Sequence, residues 1–97
     1  GKVELLENIS ERGSIAAAGR ALGLSYRRAW ELVEELNTTF GRPVVQSRTG
    51  GKSGGGAELT PLGYLIVGRY RALQKAVDQA SQAHLSAIQA ELKSKRA

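Results

Sequence analysis

Apolar residues recur at intervals of three and four along the first forty residues, and this spacing predicts amphipathic helices rather than strands. The first helix is predicted over about residues 2–11, and its apolar stripe comprises Val3, Leu5, Leu6 and Ile9. Gly13 suits the left-handed position after a helix, so we expect the helix to end there. Ser14 then caps a second helix, which should continue to about Leu22.

A third helix is predicted over about residues 26–40, with Ser25 as its N-terminal cap and Gly41 closing it. Its buried face should consist of positions that repeat at intervals of four, three and four, namely Ala29, Val33, Leu36 and Phe40. The spacing leaves Trp30 ambiguous between packing under the following strands and standing beside a ligand. We favour packing.

The small residues of this region predict a helix-turn-helix motif. If Gly23 is the turn glycine, the position four residues earlier must be small because the two helices cross there, and it is Gly19. An interior glycine costs about 1 kcal/mol relative to alanine, so a close helix contact is a reason to keep it. Leu22 and Leu24 supply the apolar positions on either side of the turn, with Leu24 expected to fill the core.

A two-stranded hairpin should follow, because the helical pattern stops at Gly41. Residues 43–48 read as a short strand, residues 49–56 contain five glycines, and residues 57–59 can form the return strand. Thr60 and Pro61 then predict the cap and first residue of another helix. The hairpin, over about residues 43–60, is placed like the wing of a winged helix-turn-helix domain.

The last helix is predicted to run from residue 62 to about residue 93, a span of roughly 45–50 Å, with only Gly63 and Gly68 near its start opposing it. A helix of this length cannot bury itself on so small a domain. Its apolar stripe predicts a dimerisation face, which comprises Ile66, Tyr70, Leu73, Val77, Ala80, His84 and Ile88. A solitary helix with a frayed end is the alternative.

These elements predict a mainly α fold, a winged helix-turn-helix with a glycine-rich wing and a long C-terminal dimerisation helix. We assign residues 1–60 to a DNA-binding domain and residues 61–97 to the dimerisation helix. Composition agrees with a polyanionic partner, because 14 lysines and arginines against nine acidic residues give a net charge of +5. We expect double-stranded DNA and a second copy as partners, no membrane, and a cytoplasmic location.

Candidate DNA contacts fall on the paired helices and on the wing. The N-terminal end of the second helix in such a motif reads base edges, and arginine can bond guanine through two hydrogen bonds. The candidates are Ser14, Ser25, Tyr26, Arg27 and Arg28 on the helices, and Arg48, Thr49, Lys52 and Ser53 on the wing. Glutamates at positions 31, 34 and 35 repel phosphate, so only the first turn or two of the third helix should enter a groove of the DNA.

Several short strings resemble the N-terminal domain of ModE-type regulators, the molybdate-responsive bacterial transcription factors. They are residues 13–15, 24–26 and 29–30, Asn37, and the glycine-rich string 49–60 with Gly63. The resemblance covers about residues 3–73, and its helix-turn-helix part also suits the larger LysR-type group. It implies a homodimer that binds a near-palindromic operator, often repressing molybdate-uptake genes, with Ser25, Tyr26, Arg27, Arg28 and three wing residues as DNA contacts. These wing residues are Thr49, Lys52 and Ser53.

The molybdate-binding domains of that family have no counterpart in these 97 residues, so no cofactor is expected in this chain. No catalytic or metal-binding residue is expected either, since the chain has no cysteine and a single histidine. Residues 51–53 match the end of a phosphate-binding loop, but Gln46 stands where its first glycine belongs. The remaining alternative is a winged-helix protein-interaction module that pairs through its long helix.

Overall fold

The computed structural model describes residues 1–48 and 56–96, with side chains up to residue 93. The elements in chain order are α1 (Lys2–Arg12), α2 (Ile15–Ala21), α3 (Tyr26–Phe40), β1 (Val45–Arg48), β2 (Gly56–Leu59) and α4 (Pro61–Arg96). The predicted fold class is therefore confirmed: a helical domain carries a two-stranded antiparallel wing and a long C-terminal helix.

The helix ends lie where side-chain chemistry predicts them. Ser14 Oγ accepts a hydrogen bond from the Ala17 amide at 3.0 Å, and Ser25 Oγ accepts one from the Arg28 amide at 3.0 Å. Each serine thereby satisfies one of the free N–H groups that begin a helix. Gly13 closes α1 with φ 76°, a left-handed conformation that glycine adopts without strain.

Helices α2 and α3 cross at Gly19, as the helix-turn-helix motif requires. A Cβ on Gly19 would lie 3.3 Å from the Cβ of Ala29 and 3.4 Å from the Leu24 carbonyl oxygen. The Leu24 amide also donates to the Gly19 carbonyl at 2.8 Å, which holds the turn. Leu24 is half-buried against the core, whereas Leu22 stays 36% exposed beside the turn.

One hydrophobic core lies between the four helices and the base of the wing. It comprises Leu5, Leu6, Ile9, Ile15, Ala18, Ala29, Val33, Leu36, Val44, Ala57 and Leu59. The prediction that Phe40 faces this core is wrong, because its side chain is 45% exposed. The covered face of α3 ends at Leu36, and Phe40 lies one turn beyond it, where the chain turns away at Gly41.

The wing is anchored through strand β2 to the turn between α1 and α2. Strands β1 and β2 pair antiparallel, with Val45 opposite Leu59 and Arg48 opposite Gly56. The Ala57 amide donates to the Gly13 carbonyl at 2.8 Å, so β2 is bonded to the helical domain as well as to β1. The predicted wing contacts at Thr49, Lys52 and Ser53 lie outside the described residues.

Val44 is the point where α3, the wing and α4 meet. Asn37 Oδ1 accepts from the Val44 amide at 2.9 Å, and the Val44 carbonyl accepts from the Thr60 amide at 3.0 Å. Thr60 Oγ1 donates to the Pro43 carbonyl at 2.9 Å and accepts from the Gly63 amide at 3.1 Å. Thr60 therefore caps α4, as predicted, and its bond to the Pro43 carbonyl also fixes where that helix begins.

Helix α4 leaves the domain after its first turns. Leu62, Ile66 and Val67 pack partly against the core, and the described side chains beyond Arg71 are all exposed. The 36 residues of the helix span about 54 Å. Because Leu62, Ile66 and Val67 pack against the core, the compact unit includes the first turns of α4.

A charged contact braces α4 against α1. The guanidinium of Arg71 donates through Nε to a carboxylate oxygen of Glu7 at 2.9 Å and through Nη2 to the other oxygen. This two-point geometry is the strongest that an arginine and a carboxylate form. The hydrogen bonds from Arg71 lower the pKa of Glu7, and the same contact raises the pKa of Arg71.

Among the described residues, none of the helices combines the length and the apolar character that a membrane crossing needs.

Candidate nucleic-acid interface

The first turn of α3 presents three of the predicted DNA contacts to solvent. Tyr26 is 58% exposed, and Arg27 and Arg28 are exposed as well. The opposite side of the helix is covered, since Ala29 and Val33 are almost fully buried. The core therefore fixes which side of α3 points outward, and Tyr26 and Arg27 extend from its free N-terminal end.

Arg28 differs from Arg27 in its surroundings. Its Nη1 lies 3.4 Å from a carboxylate oxygen of Glu35 and 3.7 Å from one of Glu31. Lys2 also approaches Glu35, at 3.5 Å. The charge of Arg28 is thus offset by two carboxylates further along α3, whereas Arg27 forms no ion pair within residues 1–48 and 56–93. Arg27 is the better candidate for bonding a base or phosphate directly.

The two serines among the predicted contacts act as helix caps. Ser14 and Ser25 use a lone pair to accept from a backbone amide, which leaves the hydroxyl hydrogen free to donate to a phosphate oxygen. Each also stands at a helix N-terminus, where the helix dipole favours an anion. Ser14 directly precedes α2 and Ser25 directly precedes α3, so the two hydroxyls mark the N-terminal ends of both helices of the motif.

A shallow groove separates the start of α2, the face of α3 and strand β2. Ser14, Tyr26 and Trp30 line it together with Gly56 and Ala57. The guanidinium of Arg48 lies over Gly13 at one end of this region, so close that a Cβ on Gly13 would stand 2.8 Å from its Nη1. The structure thus brings Ser14, Tyr26 and Arg48 to one side of the molecule.

Trp30 is a groove residue that the sequence analysis did not include among the contacts. We expected it to pack beneath the strands, but its side chain is 39% exposed. Its ring meets that of Tyr26 edge to face, with centroids 6.4 Å apart and an interplanar angle of 80°. The spacing of four residues between Tyr26 and Trp30 was the available signal, because it puts both rings on one side of a helix.

The charges along α3 are separated by sign. The arginines occupy the first turn, and Glu31, Glu34 and Glu35 occupy the middle of the helix with exposed side chains. A polyanion approaching the first turn meets positive charge, and one lying along the whole helix meets the carboxylates. This polarity favours contact through the N-terminal end of α3 and the neighbouring groove.

The predicted dimerisation face remains uncovered over most of its length. Tyr70, Leu73, Val77 and Ile88 are between 44% and 61% exposed, and Ala80 and His84 are exposed too. Ile66 differs, because it is half-buried against the domain's own core. Within residues 1–48 and 56–93, no group of three or more acidic, histidine or cysteine side chains is arranged to hold a metal ion.

The chain is similar in sequence to bacterial regulatory proteins with a helix-turn-helix. Residues 1–64 match the family described as bacterial regulatory helix-turn-helix protein, lysR family. The chain is 46% identical over 76 residues to the molybdenum-pterin-binding protein MopB of Rhodobacter capsulatus, covering 78% of this chain and 28% of MopB. It is 38% identical over 81 residues to the DNA-binding transcriptional dual regulator ModE of Escherichia coli K12, covering 79% and 31%.

Among solved structures, the crystal structure of the CbnR_DBD-DNA complex superposes with a TM-score of 0.64 at 19% identity, over 89% of this chain and 93% of that one. This likeness concerns the fold. The 97 residues span about a third of the length of the curated relatives they match.

Proposed function

This chain belongs to the LysR family of bacterial regulatory helix-turn-helix proteins, and we propose that two copies of it bind one near-palindromic DNA site to regulate transcription. The family consists of regulatory helix-turn-helix proteins, and ModE of Escherichia coli is a DNA-binding transcriptional regulator, so this chain is a DNA-binding regulatory domain and not an enzyme. We propose the pairing with a second copy, the two-fold symmetry of the DNA site and the identity of the regulated genes.

The observation that carries the proposal is the exposed first turn of α3. Its opposite face is locked into the core, and Arg27 projects from the free end without an ion pair among the described residues. An arginine so placed can bond the two acceptors of a guanine in the major groove. The carboxylates further along α3 keep the rest of the helix away from phosphate, so the site is confined to this end.

Affinity and register would come from phosphate contacts around the groove. The hydroxyls of Ser14 and Ser25 stand at two helix N-termini, and Arg48 is the last residue of strand β1 in the wing. Such contacts fix how a protein sits on the duplex without reading its sequence. The net charge of +5 supports this assignment, since counterion release by lysine and arginine provides most non-specific affinity.

A second copy of the chain is the proposed occupant of the apolar face of α4. The stripe that begins at Ile66 in the core continues outward through Tyr70, Leu73 and Val77, where nothing in the described residues covers it. Identical helices with apolar positions at spacings of three and four residues can bury each other's stripes. A two-fold dimer places two copies of α3 on one duplex and accounts for a near-palindromic site.

The relatives suggest which genes are controlled. MopB carries a name that refers to molybdenum, and we extend this to a proposed role in repressing molybdate-transport genes. We assign no cofactor to these 97 residues, and the response to molybdate is proposed to reside in segments that the longer relatives have.

Selection of bound sequences from a pool of random duplexes at moderate salt tests the proposal. We expect an enriched inverted repeat whose half-sites lie one or more helical turns apart. Retention that depends on salt but selects no sequence would contradict specific binding. Absence of retention would contradict DNA binding and favour a protein-interaction module.

A pair of variants then tests the assignment of Arg27. Arg27→Ala should cost about 1–3 kcal/mol on the selected site and much less on random DNA, because a base contact is lost. Arg69→Ala is the matched control, since it removes the same charge from an exposed position on α4. Equal losses on selected and random DNA would remove Arg27 from the base-reading role.

A further inference from the structure

Trp30 is the single tryptophan of the chain, and it lies on the groove side of α3 rather than in the core. Its side chain is 39% exposed, while Ala29 and Val33 fill the covered side of the helix. An indole in this position leaves a large apolar area in contact with water, which favours a partner that covers it.

Trp30 and Tyr26 form one aromatic surface. They are one helical turn apart, and their edge-to-face packing at 6.4 Å orients each ring against the other. Ala16 of α2 and Ala57 of β2 complete a mostly apolar depression of about 250 Å³. The depression opens on the same end of α3 that carries Arg27.

We propose that Tyr26 and Trp30 hold the 5-methyl group of a thymine, so that these two rings select a T·A pair beside the base pair read by Arg27. The thymine methyl is the only apolar group that base edges present in the major groove. An edge with a hydrogen-bonding group at that point would lose water and gain no partner from the faces of the aromatic rings. This inference rests on the proposed DNA binding through α3.

Deoxyuridine tests the inference, because it differs from thymidine only by the methyl group. In the duplex obtained by selection, each thymine of a half-site is replaced in turn, and the dissociation constant is measured. We expect a loss of about fourfold at one thymine per half-site, the effect of one methylene-sized group removed from contact. The Trp30→Ala variant should bind the thymine and deoxyuridine duplexes almost equally.

Phe40→Ala is the matched control, since Phe40 is an exposed aromatic residue at the far end of the same helix, 45% exposed. It should retain the fourfold discrimination of the parent chain. Far-UV circular dichroism, together with salt-dependent binding to random DNA, establishes that each variant is folded.

The fluorescence of Trp30 gives a second readout that needs no variant, because the chain has no other tryptophan. Binding of the selected duplex should shield it from acrylamide, and the critical deoxyuridine should reduce that shielding. Equal discrimination by Trp30→Ala and the parent, or no sensitivity to any methyl, would overturn the inference. Selective binding by the parent would then still support the proposed function, whereas a parent that selects no sequence overturns both.

Discussion

Gly63 lies in the first turn of α4, where this helix packs against Val44 and Leu59. A Cβ at this position would overlap the carbonyl oxygen of Val44, well inside 3.0 Å, and would lie 3.1 Å from the Cβ of Leu59. Val44 is fully buried, and its carbonyl already accepts from the Thr60 amide. Because backbone atoms cannot rotate away, Gly63→Ala must displace the start of α4.

Two opposing effects set the size of the change. Alanine is favoured over glycine in a helix by about 1 kcal/mol. Overpacking a tight site costs about 1–3 kcal/mol, and weakening the hydrogen bond to the Val44 carbonyl costs about 1 kcal/mol more. We therefore expect Gly63→Ala to lower the free energy of unfolding by about 1–3 kcal/mol. Gly68→Ala on the same helix should raise it by up to about 1 kcal/mol, since a Cβ there meets nothing within 4 Å.

Urea unfolding followed by far-UV circular dichroism measures both variants against the parent. All three are compared at one protein concentration, because self-association links stability to concentration. The parent should lie between the two variants, which should differ by about 2–4 kcal/mol. A Gly63→Ala chain as stable as Gly68→Ala would refute the close packing of α4 on the Val44 carbonyl.

Three further predictions follow from charges and exposed faces. Leu73→Asp should dissociate the proposed dimer, since it puts a charge into the apolar stripe, and sedimentation velocity should then show a monomer. Glu7→Gln should destabilise the chain near neutral pH, with a deficit that shrinks as pH falls below 4.5, as urea unfolding would measure. Arg71 lowers the pKa of Glu7 in the folded chain. The ion pair therefore stabilises the fold fully above the ordinary pKa of Glu7, and this stabilisation is lost as the pH falls through the lowered pKa. Arg28→Ala should weaken binding to the selected duplex by less than about 1 kcal/mol, against about 1–3 kcal/mol for Arg27→Ala, because carboxylates already offset Arg28.

Each of these predictions has a control and a contradicting result. Ala72→Asp introduces the same charge on the other side of α4, and a dimer lost equally in both variants would speak against the stripe. Glu11→Gln removes an exposed carboxylate of α1 that makes no ion pair among the described residues. If both glutamine variants show the same pH dependence, the Glu7–Arg71 brace is not its source. An Arg28→Ala loss as large as that of Arg27→Ala would contradict their different surroundings.

Local chemistry explains which parts of the fold were predictable. Helix α3 was placed at its observed bounds because Ser25 and Gly41 act through neighbouring backbone groups, which the sequence displays directly. Gly19 was interpretable for a similar reason, since the helix-turn-helix geometry permits only a small residue there. The fold class followed from such signals together with the glycine-rich hairpin.

The predictions that failed concern burial, which depends on how far elements distant in sequence extend over one another in the fold. Phe40 continues the apolar spacing of α3, but periodicity does not show that the neighbouring elements end near Leu36. Ile66 and Tyr70 belong to one stripe, yet only Ile66 reaches the domain's own core. For Trp30 the deciding fact is the position of β2, which leaves the ring at the edge of a groove.

The same reason explains the contacts that the sequence did not reveal. The bond from Val44 to Asn37 and the overlap that excludes a side chain at Gly63 both arise around one buried valine. They depend on a backbone position that only the assembled fold defines. Predicting these contacts from sequence would require the relative positions of α3, the wing and α4, which residue spacing within one element does not give.

The ion pair between Glu7 and Arg71 fixes the direction of α4 near the N-terminal end of this helix. Beyond the brace at Arg71, the helix continues to Arg96 over roughly 38 Å, so a tilt of about 5° at the brace moves the far end by about 3 Å. That displacement is close to the rise of about 3.4 Å per base pair. In the proposed dimer, the register of the two α3 helices on a duplex would therefore depend on one ion pair far from the DNA. Substitutions at Glu7 or Arg71 would then shift the preferred half-site spacing and leave the sequence of each half-site unchanged.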